Sequence, residues 1–252
     1  MAANAPASHL TWLGQAGFLL ETARQRVLID PWLSPHEARL FEPPPFELVA
    51  EEIDWVLVTH EHIDHLDLPF LRRLALHSPR ACLVLPAASV PAAEGVMEVC
   101  AVVPGERIDL GGLAAHVMPA WHALDVADGY SDGAGAFVGY VIHGAGPTIY
   151  HAGDTIADPG LAAAVRGEAV DVALLPVNGR DGARDARNIA GNLDAREAVE
   201  LARAVGAHTL VPHHWDALAG NTERAGAAAD EAALVGGLHV LVLARLVRYR
   251  LG

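Results

Sequence analysis

Residues 56–67, VLVTHEHIDHLD, place three histidines and two aspartates directly behind an apolar run. The run itself, DWVLVTH at 54–60, is nearly continuous rather than alternating, which fits a strand buried on both faces. Residues 66–77, LDLPFLRRLALH, read as a helix with Asp67 as N-cap and Pro69 in its first turn. His60, His62, Asp64 and His65 therefore fall on the turn between a buried strand and a helix. No regular period forces side chains apart there, so they can converge. Imidazole and carboxylate suit zinc, iron or manganese, and the four groups can serve two ions rather than one. A polar surface turn is the plainer alternative, but it leaves the clustering at a strand mouth unexplained. A zincin helix fails on spacing, because H-E-x-x-H needs histidine at position 64, where Asp64 stands.

Further ligand-type residues recur at the ends of later strand-like runs. MPAWHALD brings His122, IYHAGDT brings Asp154, and LVPHHWD brings His213 and His214. Each is weak alone. In this order they form a set of the kind a two-metal centre requires. His116 competes with His122, although it lies within its strand, and His213 competes with His214.

The rest of the chain bounds the reading. Its 252 residues suit one compact domain, taken here as 1–252, with no repeat or low-complexity linker to divide it. The net charge is −14 and all 17 basic residues are arginine, which disfavours nucleic acid and anionic membranes as partners. Cys82 and Cys100 sit in apolar stretches and read as buried thiols of a reducing compartment. The opening MAANAPASHL has neither a basic segment nor an apolar core of the secretory kind. No apolar run reaches the ~18 residues of a membrane span. A cytoplasmic protein acting on a small molecule is the simplest expectation, with self-association through the apolar C-terminal strand an open option.

Strands are expected at 9–14, 17–22, 26–31, 82–85, 99–103, 113–118, 136–142, 147–151, 170–175 and 208–215. A closing strand is expected over 239–250, HVLVLARLVRYR. Helices are expected near 158–167, 194–205 and 222–235. A β-rich first half thus gives way to alternating strands and helices, which implies sheets covered by helices.

The order His-x-His-x-Asp-His, then His, then Gly-Asp-Thr, then a late His resembles the metallo-β-lactamase fold superfamily. Within it the chain is most similar to the branch containing L-ascorbate-6-phosphate lactonase. The pieces that carry the likeness are WLGQAGFLL, VLIDPW, VTHEHIDHLD, AWHALD, YHAGDT, LLPVNGRD and VPHHWD. The resemblance implies an α/β fold, a four-layer αββα sandwich, with two divalent ions at one sheet edge: zinc first, manganese or iron as alternatives. It implies that His60, His62 and His122 hold one ion, that Asp64, His65 and His214 hold the other, and that Asp154 bridges them. His214 is preferred to His213 because the matching pattern is Pro-x-His. Hydrolysis by a metal-activated hydroxide would follow, with Asp64 orienting the hydroxide and His151 as a candidate supporting or proton-donating group.

The expected substrate is a small ester or lactone. The stretch NGRDGARDARNIAGN, 178–192, offers Arg180, Arg187 and Asn192 as contacts for an anionic or phosphorylated substrate, and Asn178 as part of the cleft floor. Asp181 and Asp185 can instead neutralise these arginines locally. A phosphodiesterase of the same fold acting on cyclic nucleotide, lipid or RNA is the nearer rival, and a non-catalytic metal-binding role is the rival of a different class. GYSDG at 129–133 matches G-x-S-x-G, but a strand–turn–helix context is missing, so it reads as a loop. Di-iron redox relatives carry glutamate where this chain has His62.

Overall fold

The computed structural model describes residues 8–251. The N-terminal segment read above as lacking a secretory pattern lies mostly outside them. Strands β1 (Ser8–Gly14), β2 (Gly17–Glu21) and β3 (Arg26–Ile29) form an antiparallel meander. The single-turn helix α1 (Phe46–Val49) leads to β4 (Trp55–Leu57), helix α2 (Leu68–His77), β5 (Cys82–Pro86) and β6 (Glu98–Val102), with β3 to β6 parallel. The second half repeats this plan. Strands β7 (Arg107–Asp109), β8 (Ala114–Pro119), β9 (Val138–His143) and β10 (Ile149–His151) are antiparallel. Helix α3 (Pro159–Val165), strand β11 (Val172–Pro176), the one-turn α4 (Gly182–Asp185), helix α5 (Ala195–Ala204), β12 (Thr209–His213), α6 (Ala227–Val235) and β13 (His239–Val240) follow. Strands β10 to β13 run parallel. The last strand, β14 (Arg248–Leu251), returns to pair with β1.

Two seven-stranded sheets result, β14-β1-β2-β3-β4-β5-β6 and β13-β12-β11-β10-β9-β8-β7. Alternation along each strand divides the apolar residues into three layers. Phe18, Ile29, Leu57, Val117, Tyr140 and Leu174 meet between the sheets. Val56, Val58 and Leu83 face outward against Phe46 of α1 and Phe70, Leu71 and Leu74 of α2. Val141, Tyr150 and Leu175 face outward on the other side, against α3, α5 and α6. That is the four-layer αββα sandwich. Each fully buried Leu or Val contributes about 1.5–3 kcal/mol of transfer free energy, so three stacked layers hold the sheets in fixed register.

The helix starts follow the sequence closely. Asp67 accepts from the Phe70 amide, with Pro69 in the first turn of α2. Asp194 and Glu197 form a reciprocal capping box on α5. The expected closing strand over 239–250 is corrected: it divides between the sheets as β13 and β14, with residues 241–247 in neither. Its apolar pattern is compatible with one long strand, but a single strand cannot add to both sheets. Helix 222–235 begins only at Ala227, and β7 was not foreseen. Cys82 and Cys100 are free and half-buried rather than fully buried. No helix among the described residues is long and apolar enough to cross a membrane.

Candidate metal centre

The C-terminal ends of the parallel strands, together with the β1–β2 turn, converge at one edge of the sandwich. Asp30 follows β3, His60 to His65 follow β4, His122 follows β8, Asp154 follows β10 and His214 follows β12. Gly153 joins the two halves there. Its φ is +63°, and a Cβ at that position would lie 2.7 Å from Thr59 Cβ, so only glycine lets Asp154 come this close to His60.

One group consists of His60, His62, His122 and Asp154, and a second of Asp64, His65 and His214; within each, candidate ligand atoms lie within 4.8 Å of one another. The hydrogen bonds fix which ring atoms face inward. Thr59 Oγ1 donates to Asp30 Oδ2 at 2.7 Å, so it accepts from His60 Nδ1 at 3.1 Å. The Leu124 carbonyl can only accept, and it takes the His62 Nε2 hydrogen at 3.1 Å. The two nitrogens left over, His60 Nε2 and His62 Nδ1, face each other 2.9 Å apart. His122 Nε2 approaches the same His62 atom at 3.3 Å. Burial, followed by the neighbouring histidines, holds the His60 pKa well below its ordinary value. Burial brings His122 down to about 3, against an opposing pull from Asp154. Three converging imidazole nitrogens, with His60 and His122 held neutral by burial, are a cation site by their donor chemistry.

The second group is charged. His214 Nε2 lies 3.2 Å from Asp64 Oδ2 and 3.1 Å from Asp154 Oδ2, and His65 Nε2 lies 3.3 Å from Asp154 Oδ1. Burial works against the charge on His214, but Asp154 and Asp64 outweigh it and raise its pKa to about 10. The same balance, with burial outweighed by Asp154, Asp30 and Asp64, raises His65 well above normal. Burial opposes ionisation of Asp154 too, yet His214 and His65 hold its carboxyl well below the usual range. His65 Nε2 and Asp154 Oδ1 are nonetheless buried without a hydrogen-bond partner. Asp154 faces both groups, since its Oδ2 is also 3.7 Å from His122 Nε2.

A cleft of about 210 Å³ opens on these residues. His62, Asp64, Asp154 and His214 line one wall, and Ile189, Leu218 and Asn221 line the other. A larger groove of about 570 Å³ lies between Leu10, Val211 and Tyr249 and holds none of these ligand groups.

The competing histidines go elsewhere. His213 stacks on His151, with ring centroids 4.9 Å apart. His214 adopts φ 61°, which turns its ring the other way, into the centre. His116 pairs with Glu168. His151 is not brought into the cleft: its Nε2 donates to the Ala16 carbonyl at 2.9 Å and its Nδ1 accepts from the Gly153 amide at 3.1 Å. Both ring nitrogens are spent on backbone, so the expected role in proton transfer has no free atom. His151 instead fixes the turn that carries Asp154.

The loop residues expected to meet an anion are likewise occupied. Arg180 forks onto both carboxylate oxygens of Glu197 at 2.6 Å and reaches the Asn192 carbonyl. Arg187 lies over Gly220, with a long contact of 3.5 Å to the Ala219 carbonyl. Asn192 donates to Asn178 and Asn178 to Asn221, a buried relay behind the cleft wall. Arg184, not singled out in the sequence, ties that wall together through Asn221 Oδ1 and the Thr222 carbonyl.

Two site residues were missed. Gln15 Nε2 donates to Asp64 Oδ2 at 2.8 Å and lies 3.0 Å from His214 Nε2. Asp30, fully buried, accepts from the Thr59 amide, from the Thr59 hydroxyl and from His65 Nδ1 at 2.8 Å. Both stand in stretches already marked by the resemblance, WLGQAGFLL and VLIDPW, and that was their only signal. Ser131 of GYSDG pairs with His122 through two backbone hydrogen bonds, and the Tyr130 ring lies 6.3 Å from the His122 ring, so that segment is a loop beside the centre.

The family model described as Beta-lactamase superfamily domain matches residues 25–215. The chain belongs to this family. A UPF0173 metal-dependent hydrolase of Methanoregula boonei is 35% identical over 82% of this chain and 82% of its own length. Another, from Methanopyrus kandleri, is 34% identical over 82% of this chain and 83% of its own length. Among solved structures, the metallo hydrolase Igni18 of Ignicoccus hospitalis shares the fold with a TM-score of 0.76 at 22% identity, covering 98% of this chain and 99% of that one. As a member of the Beta-lactamase superfamily domain family, the protein is a metal-dependent hydrolase of the metallo-β-lactamase fold.

Proposed function

We propose that the protein hydrolyses a small ester or lactone at a binuclear metal centre, with His60, His62 and His122 on one ion, Asp64, His65 and His214 on the other, and Asp154 between them. The observation that carries this reading is the convergence of three imidazole nitrogens, with His62 Nδ1 2.9 Å from His60 Nε2 and 3.3 Å from His122 Nε2. A cation among them would be shared by all three donors. His65 Nε2 and Asp154 Oδ1, 3.3 Å apart but without hydrogen-bond geometry, point the same way. When bound, two divalent ions supply an activated water and polarise the oxygen of the scissile group; zinc suits this donor set best, with manganese or iron as alternatives.

The protein's own part is orientation. Asp30 and Thr59 lock the rings of His65 and His60 from behind. Asp64, held by Gln15, keeps one carboxylate edge toward the cleft, where it can accept a proton from the attacking water. Ile63, Ile189 and Leu218 provide an apolar surround for a small substrate. The cleft is small, and Arg180 and Arg184 are engaged with protein partners. These two facts favour a small carbonyl substrate over a phosphodiester.

The test is a panel of small lactones, carboxylic esters and phosphodiesters on the zinc- and manganese-loaded enzyme. Turnover of the lactones or esters, lost in His62→Ala, supports the reading. Turnover confined to phosphodiesters would overturn the substrate class. Fewer than two metal equivalents in the loaded protein would overturn the binuclear assignment.

A further inference from the structure

His116, His143 and Glu168 form a separate cluster, with candidate ligand atoms within 4.8 Å of one another. We infer that these three residues make a second kind of metal site, a divalent-cation clip of the zinc type that fastens the outer helical layer to the second sheet.

The topology brings them together. His116 lies on β8 opposite Val141 of β9, so His143, two residues further along, is its diagonal neighbour on the same face. The intervening Ala115, Val117, Tyr140 and Ile142 point into the layer between the sheets. His116 and His143 therefore point outward, where α3 runs into a short 3-10 turn, Arg166–Glu168. Ala169 then takes φ 53°, and this reversal leaves Glu168 over the two rings.

The donor geometry is convergent. One oxygen, Glu168 Oε2, lies 2.6 Å from His116 Nδ1 and 3.1 Å from His143 Nε2. The ring centroids are 4.7 Å apart at 57°. Metal–ligand bonds of about 2.0–2.1 Å in a tetrahedron separate the ligand atoms by roughly 3.3 Å. The His143 contact is already close to that spacing, and the shorter His116–Glu168 contact needs to open by about 0.7 Å to hold an ion. Two imidazoles and a carboxylate supply three ligands and leave a fourth position. The His143 side chain is 31% exposed, so that position opens to solvent. Thr148 Oγ1, 3.4 Å from His143 Nδ1, supports the tautomer that turns Nε2 toward Glu168.

The clip is distinct from the centre in the cleft. Phe137, just before β9, packs its ring 5.9 Å from His60 and 5.5 Å from His122. His143 ends that strand, six residues on, about 20 Å away at ~3.3 Å per residue. An ion at the clip is too far from the cleft to touch a substrate there; it pins the turn after α3 to β8 and β9.

The experiment is zinc stoichiometry by mass spectrometry after loading and removal of free metal. It compares the parent with His143→Ala and Glu168→Gln, each made in the wild type and in an Asp154→Ala background that disables the cleft centre. Circular dichroism confirms folding, and His143→Asn replaces His143→Ala if needed. The expected result is a loss of about one equivalent in both clip variants, in either background. In the Asp154→Ala background, zinc at about a hundredfold excess over its Kd should raise Tm, and the clip variants should lower that rise by roughly 5 °C. Unchanged zinc content in either clip variant would overturn the site and leave the cluster as a hydrogen-bonded ion pair. Because each clip variant is compared with its parent in the same background, whatever the cleft retains cancels, and a failure of the clip is separable from a failure of the proposed hydrolytic centre.

Discussion

Gln15 donates from Nε2 to Asp64 Oδ2 at 2.8 Å, joining the β1–β2 turn to the turn after β4. The same amide nitrogen is 3.0 Å from His214 Nε2, so one uncharged side chain touches two members of the second ligand group. Gln15→Ala should weaken retention of the ion at Asp64, His65 and His214 by about ten- to a hundredfold, leaving the other ion in place. Chelator competition followed by metal analysis reads this directly; simultaneous loss of both ions would show that the two groups do not bind independently.

Asp154 stands between the groups, and its removal should disturb both. Asp154→Ala is expected to leave the loaded protein with fewer than two equivalents in the cleft and turnover at least a hundredfold lower. Metal content and initial rates measured on the same preparation test this. Retention of two cleft equivalents would remove Asp154 from the ligand set.

Asp30 acts from behind. Asp30→Asn keeps its shape but puts an amide N–H where an acceptor is needed by His65 Nδ1 or by Thr59. The expected cost is about 1–3 kcal/mol of stability, with metal affinity lowered ten- to a hundredfold. Denaturant melts of the metal-free protein separate the first effect from the second.

Arg180 should prove dispensable for the reaction. Its fork is spent on Glu197, and the pair is partly exposed. Arg180→Ala is expected to cost under about 1 kcal/mol and to leave KM unchanged. A several-fold rise in KM would return Arg180 to the substrate site.

Metal uptake should depend on pH. In the metal-free protein Asp154 and Asp64 raise the His214 pKa to about 10 against the opposing effect of burial, so at neutral pH its ring carries a proton that an ion must displace. His65, raised in the same sense, adds a second. Apparent affinity is therefore expected to increase as pH rises from about 6 toward 10, with protons released on binding. Calorimetry in two buffers of different ionisation enthalpy counts them. Zero release near neutrality would contradict the charge state of these rings.

The sequence exposed the cluster from His60 to His65 because a buried strand ended in four ligand-type residues within six positions. It exposed Asp154 and His214 because each follows an apolar run. The choice between His213 and His214 was not physically legible, since it turns on a positive φ at His214 that no neighbouring glycine announces. Arg180 could not be placed from the sequence: an arginine in a loop shows its charge, but not the Glu197 that occupies it. Asn178 and Asn192 lie near the cleft as expected, but they hold its wall from behind. Gln15 and Asp30 carried no distinguishing pattern of their own, because one amide and one carboxylate in a β meander resemble ordinary turn residues. The division of residues 239–250 between two sheets was hidden for a related reason, since alternation reports which faces are buried and not which sheet buries them.

The ligands of the cleft are drawn from both halves of the chain, and Asp64 and His214 are 150 positions apart. A ribosome adding about 5–20 residues per second needs roughly 7–30 s to make the stretch between them. Throughout that interval the early histidines exist without the residues that complete their cage. An ion captured then is held by a flexible chelate, and selection by geometry begins only when β12 is laid beside β11. Coordination shape can therefore choose among ions only after the chain has closed.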